Sequence, residues 1–192
     1  MNTGDTVVVY DDWGGQAAAR AWWLLRAGGI SDVLLLDGGW ASWQRAGLPT
    51  ATGEVSATPG NVLIADLDGL PTVTADQVAA GDQMLLDARA AARYRGDEEP
   101  LDPKAGHIPG ALSLPTTENL TADGTFQSAA DLRARFTSVG AAPVVYCGSG
   151  VTATHQIAAL AIAGIDATLF PGSWSEWSND PSRPVATGPE PG

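Results

Sequence analysis

The chain repeats itself, and the repeat restricts the possible folds more than any other feature of the sequence. Residues 7–53 read VVVYDDWGGQAAARAWWLLRAGGISDVLLLDGGWASWQRAGLPTATG, and residues 144–188 read VVYCGSGVTATHQIAALAIAGIDATLFPGSWSEWSNDPSRPVATG. Tyr10 falls on Tyr146, Trp40 and Trp43 fall on Trp174 and Trp177, and the closing Ala-Thr-Gly at 51–53 falls on 186–188, all at offsets of 134 to 136. Matched landmarks at a steady offset identify a duplicated domain. Each copy reads as a β-α-β unit followed by a short tryptophan-bearing segment. Val7–Tyr10 and Val144–Tyr146 are apolar, β-branched runs suited to strands buried on both faces. Gln16–Ala27, stopped by Gly28-Gly29, and Thr152–Ala163, stopped by Gly164, read as helices. Val33–Leu36 and Ala167–Phe170 follow as second strands. Units of this kind imply an α/β fold with parallel strands and helices on both faces.

Residues 54–70, with Pro59-Gly60 and small side chains, read as a linker between residues 1–53 and a second domain over 71–188. In that domain Thr74 and Gln77 form a capping box into a helix near 75–80. Met84–Leu86 and Ala111–Leu114 are further strands, and Ser128 with Asp131 opens an amphipathic helix over 129–138. An offset of 135 places the counterpart of Thr72 ahead of Met1, so residues 1–53 are expected to be only the rear half of a domain. Two strands alone would leave an unpaired edge and an uncovered apolar face.

Ten Lys and Arg against 22 Asp and Glu give a net charge of −12. Such a chain repels phosphate backbones and anionic lipid, which argues against nucleic-acid and membrane-surface partners. No apolar run approaches the roughly 18 residues of a membrane span. Met1 to Asp5 has no basic region leading into an apolar segment, so no secretory signal is expected. The chain holds one cysteine, Cys147. With no internal disulfide to form, it fits a reducing, cytoplasmic setting, and any thiol chemistry must take place at that position.

Cys147 stands where a strand ends and a helix is about to begin, in the run Cys147-Gly148-Ser149-Gly150-Val151-Thr152. The two glycines let successive N–H groups turn inward as an anion nest, and the helix N-terminus adds its positive end. Such surroundings stabilise a thiolate, the nucleophilic form of a cysteine. A cysteine phosphatase would carry an arginine at position 153, where this chain has Ala153, and a redox dithiol would need a second cysteine. Gly148-x-Gly150-x-x-Ala153 fits a dinucleotide fingerprint, but the following strand runs into Pro171 and lacks the ribose-binding acid. Sulfur transfer, which needs one thiolate in a nest able to hold a persulfide, survives these exclusions. Two histidines and one cysteine offer no metal-ligand spacing, and no cofactor is expected.

The loop Cys-Gly-Ser-Gly-Val-Thr-Ala at 147–153 resembles the active-site loop of two-domain rhodanese-type sulfurtransferases, particularly their 3-mercaptopyruvate branch. Asp87-Ala-Arg89, Arg93-Tyr-Arg95-Gly96, Gly106-His-Ile-Pro-Gly-Ala111 and Ala167–Trp177 resemble further motifs of that family, in its order. The resemblance implies three-layer α/β/α domains with five-stranded parallel sheets, one complete and one partial here, and catalysis in the second alone. Asp11 matches Cys147, and a carboxylate cannot carry a sulfane sulfur. It further implies a small anionic donor, thiosulfate or 3-mercaptopyruvate, and a persulfide on Cys147. The acceptor would be cyanide or a thiol such as thioredoxin or a low-molecular-weight thiol.

Arg93 matches the family's substrate-anchoring arginine, and its guanidinium suits bidentate binding of a carboxylate or sulfonate. Gly148, Ser149, Gly150, Val151 and Thr152 would complete the donor site, with Thr152 capping the helix. Arg89 is expected to pair structurally, His107 to brace a turn, and Trp174 and Trp177 to pack in the core. Asp97-Glu98-Glu99 is expected to be a solvated loop. A second substrate arginine common in the mercaptopyruvate branch is missing from Pro100-Leu-Asp-Pro-Lys104, where Lys104 is the only nearby cation. A non-catalytic rhodanese-homology module that only binds partners is the alternative reading.

Overall fold

A computed structural model describes residues 1–192. The first half holds β1 (Val7–Val9), α1 (Gln16–Ala27), β2 (Val33–Leu35) and α2 (Gly39–Arg45). The second holds α3 (Ala75–Ala79), β3 (Leu85–Asp87), α4 (Ala91–Arg95), β4 (Ala111–Ser113), α5 (Ala129–Arg135), β5 (Val144–Tyr146), α6 (Thr152–Ile162), β6 (Thr168–Leu169) and α7 (Ser173–Asn179). β1 and β2 form a parallel pair, and the second sheet has the order β4-β3-β5-β6, parallel throughout. The expected fifth strand is a single parallel bridge from Thr72 to Leu169. Pro71 and the Thr74 cap flank it, leaving no length for a ladder. The helix expected over 129–138 closes at Phe136.

The duplication is preserved bond for bond. Leu36 N–H donates to Val9 C=O at 3.0 Å, and Phe170 N–H donates to Val145 C=O at 2.9 Å. Trp40 N–H donates to Asp11 C=O at 2.8 Å, and Trp174 N–H donates to Cys147 C=O at 3.0 Å. The pairing of Asp11 with Cys147 read from the sequence is therefore a structural equivalence.

Two helical layers enclose the second sheet. One face packs on α5 and α6 through Leu86, Val145, Leu132 and Leu160, and the other on α3, α4 and α7 through Tyr94, Tyr146, Trp174 and Trp177. Helix α1 of the first half packs against α6, bringing Trp22 and Trp23 into the same core as Cys147, Ile157 and Leu160. The first pair of strands is covered on one face only. Val8, Tyr10 and Leu34 are exposed, so the expectation of burial on both faces holds for β5 and fails for β1. Residues 54–70 form no regular element, but Ala65 N–H and Gly69 N–H donate to the carbonyls of Gly28 and Ala27, tying the segment to the end of α1. No helix is long and apolar enough to cross a membrane.

Candidate active site

Strand β5 delivers Cys147 to the mouth of a cleft of about 470 Å³. The residue is almost fully buried, and its backbone is fixed from the α7 side. Its N–H donates to Ser173 Oγ at 3.1 Å, Ser173 donates to Phe170 C=O at 2.9 Å, and Ser175 N–H donates to Gly148 C=O at 2.9 Å. Ser173 takes this role at a φ of +55°, where its counterpart in the first half, Gly39, has +56°. The sequence reading missed Ser173; its signal was a serine where the repeat has a glycine.

The loop turns at Gly150, whose φ is +74°. A side chain there would collide with the Pro171 carbonyl oxygen, so glycine is required for both conformation and space. The backbone N–H groups of Gly148 through Ala153 donate to no other group of the chain. That is the state of an anion nest continuous with the first turn of α6. The first half shows the same loop with an anion built in. The Asp11 carboxylate accepts from the N–H groups of Trp13 at 2.9 Å, Gly15 at 2.8 Å and Ala18 at 2.8 Å. Burial pushes the Asp11 carboxyl up, but these backbone donors outweigh it and hold it below the usual carboxylate range.

Of the residues singled out from the sequence, Cys147, Gly148, Ser149, Val151, Thr152 and Arg93 all line this cleft, and Gly150 is buried beside it. Thr152 does not cap the helix. Val151 holds the N-cap position without a side-chain bond, and the hydroxyl that closes back on Val151 C=O, at 2.6 Å, belongs to Thr154. The opposite wall brings in Trp13 and Gln16 from the first half and Leu101, Thr116 and Thr117 from the second. Arg20, on α1, sends Nη1 to within 3.5 Å of the Gly150 carbonyl. Burial pulls this guanidinium down, against the attraction of Cys147. None of these was readable from local sequence, because each meets the cysteine loop through the packing of α1 on α6, the loop after α4 or the turn after β4.

Arg89 and Arg93 divide their work. Arg89 grips the Asp87 carboxylate at 2.6 Å and the Gly106 carbonyl at 2.6 Å, the structural pairing expected of it. Arg93 stands at the cleft, close enough that a Cβ on Gly148 would lie 3.3 Å from its Nη1. Its Nη2 donates to Glu99 at 2.6 Å and approaches Asp102 at 3.4 Å. Glu99 is thus no solvated loop residue. Its side chain is buried between Arg93 and Arg89, and only its neighbours Asp97 and Glu98 face solvent. Burial raises the Glu99 carboxyl, yet the Arg93 bond and the N–H groups of Leu101 and Asp102 hold it below its ordinary range.

His107 is buried, with Nδ1 2.8 Å from Tyr94 C=O and its ring stacked on Tyr94. Trp174 and Trp177 are core residues whose indole N–H groups donate to the carbonyls of Lys104 and Pro184. Lys104 turns away from the cleft and donates to the carbonyls of Asp180 and Arg183.

A parallel α/β scaffold that presents one cysteine on a strand-to-helix anion nest, with an arginine at its rim, defines a class of cysteine-centred anion sites. A model of the rhodanese-like domain matches residues 1–46 and 70–180, and the chain belongs to that family. It is 51% identical over 190 residues to a putative thiosulfate sulfurtransferase, SseB, of Mycobacterium tuberculosis, covering 95% of this chain and 67% of that protein. It is 49% identical over 197 residues to a probable 3-mercaptopyruvate sulfurtransferase of Pseudomonas aeruginosa, covering 95% of this chain and 68% of that one. Among solved structures, the anaerobic ergothioneine biosynthesis enzyme of Chlorobium limicola superposes with a TM-score of 0.84 at 25% identity over 95% of this chain. The chain spans about half the length of that enzyme, 51%.

Proposed function

We propose that the chain is a sulfurtransferase that carries a sulfane sulfur on Cys147, within a catalytic domain spanning 71–188 that follows a non-catalytic unit at 1–53 and a linker at 54–70. The observation that carries this reading is the cysteine loop itself. The lone thiol of the chain sits in a turn whose N–H groups have no partner of their own, where the equivalent turn is closed by the Asp11 carboxylate. A persulfide anion would take those donors as Asp11 takes its own.

The Cys147 thiolate attacks the outer sulfur of thiosulfate; the sulfur–sulfur bond breaks, its electron pair leaves with sulfite, and a Cys147 persulfide remains. With 3-mercaptopyruvate the attack falls on the thiol sulfur. The carbon–sulfur bond breaks toward carbon, and the resulting enolate takes up the proton that the persulfide sheds, giving pyruvate. Cyanide, or the thiolate of thioredoxin or a small thiol, then attacks the outer sulfur and returns Cys147 as thiolate. The backbone donors of Gly148–Thr152 favour the negative charge held on sulfur at both stages, and Arg93 anchors the donor's carboxylate or sulfonate.

Thiocyanate formation from each donor plus cyanide tests the reading, with Cys147→Ser as control. The expected result is donor-dependent thiocyanate that disappears in the variant, with a gain of about 32 Da on Cys147, the mass of one sulfur, after donor alone. Equal background in both proteins would reject transfer and leave the partner-binding module.

A further inference from the structure

The arginine that faces the donor is flanked by two buried carboxylates, which bears on the donor's charge. The only cationic side chains lining it are Arg89 and Arg93. Arg89 is consumed by Asp87, with which it makes three bonds of 2.6 to 3.1 Å, and its side chain is 1% exposed. Arg93 meets two carboxylates, Glu99 and Asp102, whose side chains are only 4% and 7% exposed. Arg20 reaches the cysteine loop at the Gly150 carbonyl and does not line the cleft, so Arg93, held between two carboxylates, is the one lining cation open to a ligand. Burial keeps these charges from being screened as surface charges are.

The Arg93 guanidinium has capacity left in one direction only. Nη2 is engaged, whereas Nη1 beside Gly148 has no partner in the chain and Nε is buried without one. An anionic group can dock on the free edge next to the cysteine loop, but its charge is also felt by Glu99 and Asp102 on the far edge. One negative charge meets one cation at contact and two carboxylates farther off. A second negative charge on the same ligand finds no further cation among the residues lining the cleft and meets the same two carboxylates.

We propose that Glu99 and Asp102 make this cleft select its sulfur donor by charge, favouring a singly charged mercapto-carboxylate over the doubly charged thiosulfate. This rests on the sulfur-transfer reading for the donor's identity, while the charge selection itself is a property of binding. Glu99 and Asp102 are specificity residues under this proposal: they touch Arg93 and act on the ligand through it.

Methanesulfonate and sulfate share a tetrahedral sulfonate shape and differ by one charge, so they isolate the effect. Binding of each to the Cys147→Ser protein, by calorimetry at fixed ionic strength, is expected to favour methanesulfonate. Asp102→Asn and Glu99→Gln should each move the ratio of the two dissociation constants toward sulfate by about five- to tenfold, a screened Coulomb effect of one buried charge. In the Cys147-containing protein the same variants should raise kcat/KM for thiosulfate relative to 3-mercaptopyruvate by a similar factor. Asp102→Asn matters most, because Asp102 anchors less of the loop than Glu99. Equal binding of the two anions, no measurable binding of either, or an unchanged ratio in a folded Asp102→Asn protein would overturn the proposal. Absence of Cys147-dependent thiocyanate would instead reject the sulfur-transfer reading and leave the binding measurement to decide charge selection alone.

Discussion

His155 lies one turn into α6 with its Nδ1 2.7 Å from Thr116 Oγ1 and its ring stacked on Phe126 at 4.7 Å between centroids. Burial pushes the imidazole down to about 4, against the attraction of Asp11. The folded protein therefore binds this proton less readily than the unfolded chain. Stability is complete above the unfolded value near 6.5 and is lost as the pH falls from there toward 4, by roughly 3 kcal/mol. Urea unfolding across that window should show the loss, and His155→Asn should flatten it while lowering stability at pH 8. Asp11 and Glu99, both held below their ordinary range, add acid lability below that window. Arg93→Lys keeps the charge at the cleft but removes the planar fork. It is expected to raise KM for the donor about tenfold with little change in kcat, measured by initial rates of thiocyanate formation. At this scale the sequence was readable where chemistry is local, as at Cys147 and the Asp87–Arg89 pair. It misled at Glu99, because three acids in a row look solvated while the arginines that bury Glu99 lie six and ten residues away.

The two β-α-β elements carry the same plan and differ in what covers them, which makes each a control for the other. Val8, Leu34 and Tyr10 are 52%, 52% and 56% exposed, whereas their counterparts Val144, Thr168 and Tyr146 are 1%, 9% and 0% exposed. Val8→Lys should change stability by no more than about 0.5 kcal/mol, as surface substitutions usually do. Val144→Lys would bury an unpaired charge and should cost about 3 kcal/mol or more. Denaturant midpoints of the two variants check the contrast. The period and the glycine stops placed α1 and the start of α6 to the residue, and the Thr74–Gln77 capping box is present with both its bonds. β1, β2, β4 and β6 are each shorter than read, because apolar residues such as Tyr10 continue past the paired stretch, while β3 runs on to Asp87. Exposure of the β1 face was legible only from the offset arithmetic, since its residues are as apolar as those of β5.

At the scale of the whole molecule the repeat has become one body, not two. Trp22, Trp23 and Ala27 of α1 share a core with Ala153, Ile157 and Leu160 of α6, and Trp13 and Gln16 help to close the cleft over Cys147. The stability of the first half and the shape of the site therefore depend on the same contact. The β1–β2 pair is held by α1, by α2 through Trp40, and by bonds to the second half such as Phe126 N–H to Asp37, and as a two-stranded sheet it has too little core of its own to stand alone. Trp23 is 3% exposed, and Trp23→Ala is expected to cost about 3 to 5 kcal/mol, as for other buried aromatic truncations. If the halves unfold together, calorimetry of the parent will show one transition with equal calorimetric and van't Hoff enthalpies, and the variant will lower that single transition. If α1 is merely docked, the variant will split off an early transition and leave the main one unmoved. Cooperative unfolding would mean that the half without a cysteine is kept as a wall of the half that has one.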